Sequence, residues 1–235
     1  MNFNSRRLIE LRSQERTVSG MLDLIEKSSK FGEFLEFNIK NSSFSKSRHL
    51  SDLIAAFFLG YQKKFLEVGA YHPINGSDTY MLEKKFMWSG IQIEPNPRMA
   101  KKLREYRSAE VINLALVSKL SSKKRLDMDS GKMSRLIGQK VGAINIDNFI
   151  KLKGTNFDAL FMDIEGGELK LLNNDKFSCF KFRFLSIERI WNFKKIEIAL
   201  KNLGYVNFWP VISGYESWWL KSPQELGLEQ GIDFS

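Results

Sequence analysis

Two short apolar runs constrain this chain more than anything else in it. Phe65-Leu66-Glu67-Val68 ends in Gly69-Ala70-Tyr71, and Ile91-Gln92-Ile93 ends in Glu94-Pro95. Apolar runs of about 4–8 residues bounded by turn formers predict buried strands. Between them, from Ser77 to Trp88, Tyr80, Met81, Leu82, Phe86 and Met87 recur at helical spacing, with Ser77 as a suitable N-cap. Strand, glycine turn, helix, strand and acid make a nucleotide-binding βαβ unit. Gly69 lets backbone approach a ligand that a Cβ would hold off. Glu94, at the tip of the second strand, can accept both hydroxyls of a ribose. No GxGxxG follows the first strand, so the glycine-lined cradle for a pyrophosphate is missing. A nucleoside without phosphates fits better, and S-adenosylmethionine is the common one.

The rest of the chain extends the pattern. Val18–Phe37 and Leu50–Tyr61 read as helices, the second capped by His49 or Ser51, with a Ser-rich loop between them. Pro95-Asn96-Pro97 breaks the chain before a helix over 98–106. Val111–Leu116 reads as a third strand that includes Asn113 and Ala115. Residues 117–140 are polar and basic, which suits an edge hairpin or an excursion, and Ile144–Ile150 reads as a short helix. Ala159–Met162 is apolar up to Asp163, as a central strand requires. A carboxylate at such a tip stands where open α/β sheets bind ligands. Arg183–Glu188 is a fifth strand that also ends in an acid. Trp191–Leu203 reads as a helix closed by Gly204, and 205–211 with 215–220 as an antiparallel pair. The fold class expected is α/β: a mostly parallel, Rossmann-like seven-stranded sheet of the class I methyltransferase type. It carries an antiparallel C-terminal hairpin and a helical N-terminal extension, with 1–60 as the extension and 61–235 as the main domain.

The formal charge of +9 admits nucleic acid or an anionic surface as a partner. The lysines are scattered in pairs, however, as solubility charges are. No apolar stretch is long enough for a membrane span, and Met1–Gln14 lacks the apolar core of a secretory signal. One cysteine, Cys179, excludes an internal disulfide framework and suits a reducing, cytoplasmic setting. Two histidines, His49 and His72, leave little for a histidine-based metal site. Cys179, Phe177–Phe184 and Trp209, Trp218 and Trp219 read as core. Trp191 reads either as core or as acceptor-pocket lining.

The motifs together resemble one family. Val68-Gly69-Ala70, Ser77 to Glu83, Trp88-Ser89-Gly90, Ile93-Glu94-Pro95-Asn96-Pro97, Ile144 to Phe149 and Phe161-Met162-Asp163-Ile164-Glu165-Gly166-Gly167-Glu168 follow the order and spacing of the FkbM family of S-adenosylmethionine-dependent methyltransferases. The resemblance covers about residues 62–221. It departs where Glu67 replaces an Asp, Asp78 an Asn, and Phe161 or Met162 a Lys.

The resemblance implies the site. Glu67 would hold the donor's amino group, with Gly69, Ala70 and Tyr71 along its carboxypropyl chain. Glu94 would take the ribose, Asn113 and Ala115 would flank the adenine, and Ser77, Pro95 and Asp163 complete the donor-binding set. Transfer to an alcohol needs positioning and removal of a proton. Asp163, whose strand tip faces the methyl in this fold, is the first candidate base. Glu165, Glu188 and the loop residue His72 follow, as does Glu168, unless it opens the next helix. Metal-free acid–base work is the reading taken, with Mg²⁺ or Ca²⁺ on the same acids as the alternative. The function expected is O-methylation of a hydroxyl on a sugar, glycan or similar small acceptor. One alternative is an RNA ribose 2′-O-methyltransferase, its Lys-Asp-Lys-Glu set drawn from Lys63 or Lys64, Asp163, Lys181 and Glu188. Another is a non-catalytic module that kept the fold.

Overall fold

The computed structural model describes residues 29–120, 125–127, 140–189, 193–210 and 215–222. Helices α1 (Ser29–Asn41) and α2 (Ser51–Leu59) lead into strand β1 (Lys64–Val68). Then come α3 (Tyr80–Phe86), β2 (Ser89–Ile93), α4 (Pro97–Tyr106) and the short strands β3 (Glu110–Ile112), β4 (Ala115–Val117) and β5 (Arg125–Asp127). β6 (Lys140–Asn145), α5 (Ile146–Lys153), β7 (Ala159–Met162), α6 (Glu168–Leu172) and a 3-10 turn (Asp175–Cys179) follow. β8 (Phe184–Glu188), α7 (Phe193–Asn202), β9 (Tyr205–Phe208) and β10 (Glu216–Lys221) close the order.

Seven strands form one sheet in the order β3-β2-β1-β7-β8-β10-β9. All neighbours are parallel except β10, which runs antiparallel to both β8 and β9. This is the fold expected, hairpin included. Each central strand is buried on both faces and alternates between two cores. Leu66, Val68, Leu160, Met162, Leu185 and Ile187 face a core shared with α5, α6 and α7. Phe65, Ala159, Phe161, Phe184 and Trp218 face the other, which α1, α2 and α3 fill with Phe31, Phe34, Leu53, Ile54 and Leu82. The strand order reverses between β1 and β7, so a crevice opens outside their carboxyl ends, the usual binding position in such sheets.

Several local expectations are corrected. The helix expected from Ser77 starts at Tyr80, with Thr79 at its N-cap, because Ser77 is drawn into a buried arginine cluster instead. Neither His49 nor Ser51 caps α2; Leu50 holds that position in a left-handed conformation, without a side-chain cap. The third strand is two strands. β3 pairs with β2, while β4 leaves the sheet to pair in parallel with β6. Asn113 causes the break, because its side chain is held by carbonyls of the β2 exit. The edge hairpin expected within 117–140 is partly formed, with β5 antiparallel to β6. α5 begins at Ile146, since Ile144 still belongs to β6. Cys179 is exposed, not core, as the last residue of a 3-10 turn whose Phe177 supplies the buried contact. Trp209, Trp218 and Trp219 are buried as expected. Trp191 and the stretch before residue 29 lie outside the described residues.

Candidate active site

The chain leaves β1 through Gly69 at φ +90°. A Cβ there would stand 1.8 Å from the Asp163 carbonyl oxygen, so only glycine lets the tips of β1 and β7 close on each other. The Gly69 and Ala70 amides donate to the Ile93 carbonyl at 2.9 and 3.3 Å. The Tyr71 amide donates to Glu94 Oε2 at 2.8 Å, and the Asn96 amide donates to Glu94 Oε1 at 2.7 Å. Of the amides expected beside a ligand, those of Gly69 and Ala70 are therefore taken by the Ile93 carbonyl and that of Tyr71 by Glu94. Each of its oxygens keeps one lone pair, a rigid pair of acceptors for two vicinal hydroxyls. Burial pushes Glu94 up to about 7, against the pull of the Asn96 amide. Asn113 Nδ2 donates to the Glu94 and Pro95 carbonyls at 2.8 and 3.0 Å, and Ala115 opens β4 just beyond.

Arg107, absent from the sequence-based candidates, locks this turn from beneath. Its side chain is fully buried. Nη1 donates to the Pro73 carbonyl and to Ser77 Oγ, Nη2 to Thr79 Oγ1 at 2.8 Å, and Nε to Glu83 Oε2 at 3.2 Å. Thr79 Oγ1 in turn donates to Glu67 Oε2 at 2.7 Å, which also accepts from Gln92 Nε2 at 2.6 Å. Burial raises the Glu67 pKa, while Arg107, Gln92 and Thr79 oppose the rise. Burial also works against the charge of Glu83. The Ser108 amide, Arg107 and Lys84 nevertheless hold its pKa below the ordinary value.

The other side of the crevice is acidic. Asp163 stands at the tip of β7 and Glu188 at the tip of β8. Burial, then the charge of Asp163, pushes Glu188 up to about 9. Asp163 is raised by burial, but less than it would be without the Glu188 hydrogen bond, Arg48 and His49. The two carboxyls share a hydrogen bond that favours the proton on Glu188 over Asp163. Glu188 Oε2 is buried with no hydrogen-bond partner among the described residues. Glu216 pairs opposite Glu188 across the sheet. Burial, then Asp78 and Asp163, raises it as well. Glu165 takes a left-handed φ of 56°, a strained position for a non-glycine residue. Its pKa is raised by burial, Asp163 and Glu168. Glu168 is turned inward, its Oε1 accepting from the Ile164 and Gly166 amides at 3.0 and 3.2 Å. It holds the acidic loop and opens α6, where a carboxylate is stabilised by the helix dipole. His72 is engaged likewise, its Nδ1 accepting from the Ile74 and Asn75 amides at 3.1 and 3.0 Å. Among the described residues, no group of three or more His, Cys, Asp or Glu is placed to hold a metal ion.

The segment between α1 and α2 closes the crevice. Ser47 Oγ donates to Asp78 Oδ1 at 2.5 Å and accepts from the His49 and Ser51 amides. Asp52, buried and pushed up to about 6 by that burial, accepts from Ser45 Oγ and the Lys46 amide. Asp78 is itself pushed up to about 8, by burial and then by neighbouring acids, with the Ser47 bond opposing. Arg48 lies against Gly76, where a Cβ would come within 2.8 Å of its Nε.

Lys63, Lys64 and Lys181 are elsewhere. The Lys64 amide donates to Asp158 Oδ2, and the Arg183 amide to the Asp158 carbonyl, so these lysines crowd the amino ends of β1 and β8. A five-residue strand puts them about 15 Å from the acids at its tip. The Lys-Asp-Lys-Glu set considered from the sequence is not formed.

The model of the methyltransferase FkbM domain matches residues 67–206. The chain belongs to the FkbM methyltransferase family. No curated protein matches its sequence. Among solved structures, the FkbM methyltransferase of Methylobacillus flagellatus is similar at 11% identity and TM-score 0.48, over 84% of this chain and 60% of that one. The present chain thus spans well under two thirds of that relative. A fibrillarin of Aeropyrum pernix with bound S-adenosyl-L-methionine is similar at 12% identity and TM-score 0.46, over 74% and 75%. The S-adenosylhomocysteine-bound methyltransferase PaMTH1 of Podospora anserina is similar at 10% identity and TM-score 0.44, over 94% and 97%.

In this FkbM chain, sequence reasoning missed Arg107, Arg48, His49, Glu216 and the role of Asp78. Arg107 carries a faint signal, as a lone arginine between a helix and a strand. The others carry none, because segments far apart in the chain bring them together.

Proposed function

We propose that this FkbM chain is an S-adenosylmethionine-dependent O-methyltransferase acting on a hydroxyl of a sugar, glycan or similar small acceptor. The observation that carries the donor assignment is Glu94, held by the Tyr71 and Asn96 amides with one lone pair free on each oxygen. Asp163, Glu188, Glu216 and Asp78 gather at the same end of the sheet, their pKa values raised by burial. When bound, S-adenosylmethionine supplies an electrophilic methyl and leaves as neutral S-adenosylhomocysteine. The chain's own residues bind and orient. Glu94 takes the ribose, Glu67 lies toward the amino group, and Gly69 lets the tips of β1 and β7 approach closely beneath the donor. Asp163 orients the acceptor hydroxyl, and Glu188 holds Asp163 in place with its proton. The acceptor class is supported by carboxyls with raised pKa values, which suit neutral hydroxyls better than a phosphate backbone. Residues 61–235 would carry this activity, with the described part of 1–60 forming one wall of the site.

Calorimetry with S-adenosylhomocysteine tests the donor site. The parent protein is expected to bind it, and ligand at 100 times its dissociation constant adds about 2.7 kcal/mol of stability. Glu94→Ala, checked for an intact fold by circular dichroism, should abolish most of that gain. Binding of NAD in place of S-adenosylhomocysteine would refute the assignment.

The same titration has a pH signature. Ribose hydroxyls donate to ionised Glu94, whose pKa near 7 makes the binding form dominant only above neutrality. Affinity is therefore full at pH 8 and declines as pH falls through about 7, approaching tenfold per unit. A dissociation constant that stays flat from pH 8 to 5.5 would remove Glu94 from the ribose contact.

A further inference from the structure

We propose that His49, carried by the segment between α1 and α2, takes the proton from the acceptor hydroxyl during methyl transfer, with Arg48 beside it on the acceptor side. This rests on the donor reading above and adds the group that completes the chemistry. The placement is geometric. The Ser47–Asp78 hydrogen bond ties residues 45–52 to the turn after β1, and Asp52 folds that segment on itself through Ser45 and the Lys46 amide. The His49 amide is held by Ser47 Oγ at 3.2 Å. Its ring lies 5.6 Å from that of Tyr215, the residue just before β10. β10 pairs with β8 at Glu216 and Glu188, so the imidazole stands over the β8–β10 side of the crevice, away from Glu94. Leu50, next in sequence, is bulky and left-handed at φ 66°, a strained conformation of the kind that collects at functional sites. Tyr71 and Glu165, after the tips of β1 and β7, share it at φ 47° and 56°, as do Gln62, Met87, Trp209 and Ser222 elsewhere.

The groups facing His49 set its proton affinity. Burial lowers it first, then Arg48 from its own loop, while Asp163 from β7 raises it; Tyr215 packs on its ring. The imidazole is neutral at pH 7 and ready to accept. In the step, the acceptor O–H bond breaks and its proton passes to an imidazole nitrogen. The oxygen lone pair bonds the methyl carbon, and the carbon–sulfur pair stays on sulfur. Asp163 stabilises the imidazolium formed, which returns its proton to water after release. His72 cannot serve in this way through Nδ1, which is occupied by two amides.

The chain has two histidines, so NMR of the full protein with labelled histidine gives two titrations, and His49→Gln assigns one. S-adenosylmethionine and S-adenosylhomocysteine differ by a positive charge at the reacting centre. A charge within about 12 Å at an effective dielectric near 20 moves a pKa by about one unit or more. His49 is therefore expected to titrate about one unit lower with S-adenosylmethionine than with S-adenosylhomocysteine, and lower in Asp163→Asn than in the parent. Equal His49 titrations in two complexes that both form would overturn the proposal and leave the donor reading intact. Failure of either ligand to bind would instead overturn the donor reading, and this inference with it. Methyl glycosides serve as probe acceptors in a second arm. There His49→Gln should lower turnover by about 100-fold or more with donor affinity unchanged, and unchanged turnover would also remove His49 as the base.

Discussion

Arg107→Met is expected to lower the melting temperature by about 6–20 °C, the largest stability effect foreseen for any side chain near the site. Removing one partner of a buried ion pair costs about 3–5 kcal/mol, and a chain of this size loses about 2–4 °C per kcal/mol. The variant leaves the Pro73 carbonyl, Ser77, Thr79 and one Glu83 oxygen without their buried donor. The pH dependence has a definite sign. The Glu83 pKa is depressed in the folded protein, so its contribution is present above the ordinary carboxylate pKa and lost as pH falls through the folded value. The deficit of Arg107→Met should therefore shrink in acid, where Glu83 is protonated. Adding Glu83→Gln to Arg107→Met should recover part of the loss at pH 7, because the buried carboxylate charge that had lost its guanidinium partner is gone. Thermal melts of the three proteins at pH 7 and pH 4 decide it. A drop below about 2 °C for the single variant would mean that Arg107 does not lock the turn.

Asp163→Asn is expected to lower methyl transfer by about 10²–10⁴-fold, the range for losing a group that manages a proton in the transition state. The substitution keeps the shape and the carbonyl close to Gly69, so S-adenosylhomocysteine affinity should stay within about threefold. The raised pKa of Glu188 depends on the charge of Asp163 as well as on burial, so Glu188 should titrate lower in the variant. Release of S-adenosylhomocysteine from labelled donor, followed with methyl glycosides from pH 6 to 9, measures the effect. Turnover near that of the parent protein would move the chemistry away from the β7 tip.

The meeting of the Gly69 and Glu94 tips was legible in the sequence because it is local. Gly69 and Glu94 end neighbouring strands of one βαβ unit, and such a unit places its two tips side by side wherever it occurs. Asp163 and Glu188 were legible for the same reason, as acids at the ends of apolar runs. The details of Glu168 and His72 were not. Whether such a side chain faces a ligand or its own backbone depends on amide directions that no spacing encodes. The split of the third strand was hidden too, since Asn113 breaks it through contacts with the carbonyls of Glu94 and Pro95.

Alternation of apolar residues and turn formers determined the sheet, its hairpin and the crevice at the β1–β7 switch, because strand burial depends on side-chain type at a period of two. Tertiary structure alone decided what surrounds that crevice. Arg107 joins Glu83, Ser77 and Thr79 across a helix and a strand, and Ser47 joins Asp78 from a segment before the sheet begins. Glu216 meets Glu188 only when β10 folds back on β8. The pKa values that give these acids distinct roles arise from desolvation and from charges distant in the chain. Both exist only after folding has brought the groups together in a medium of low dielectric.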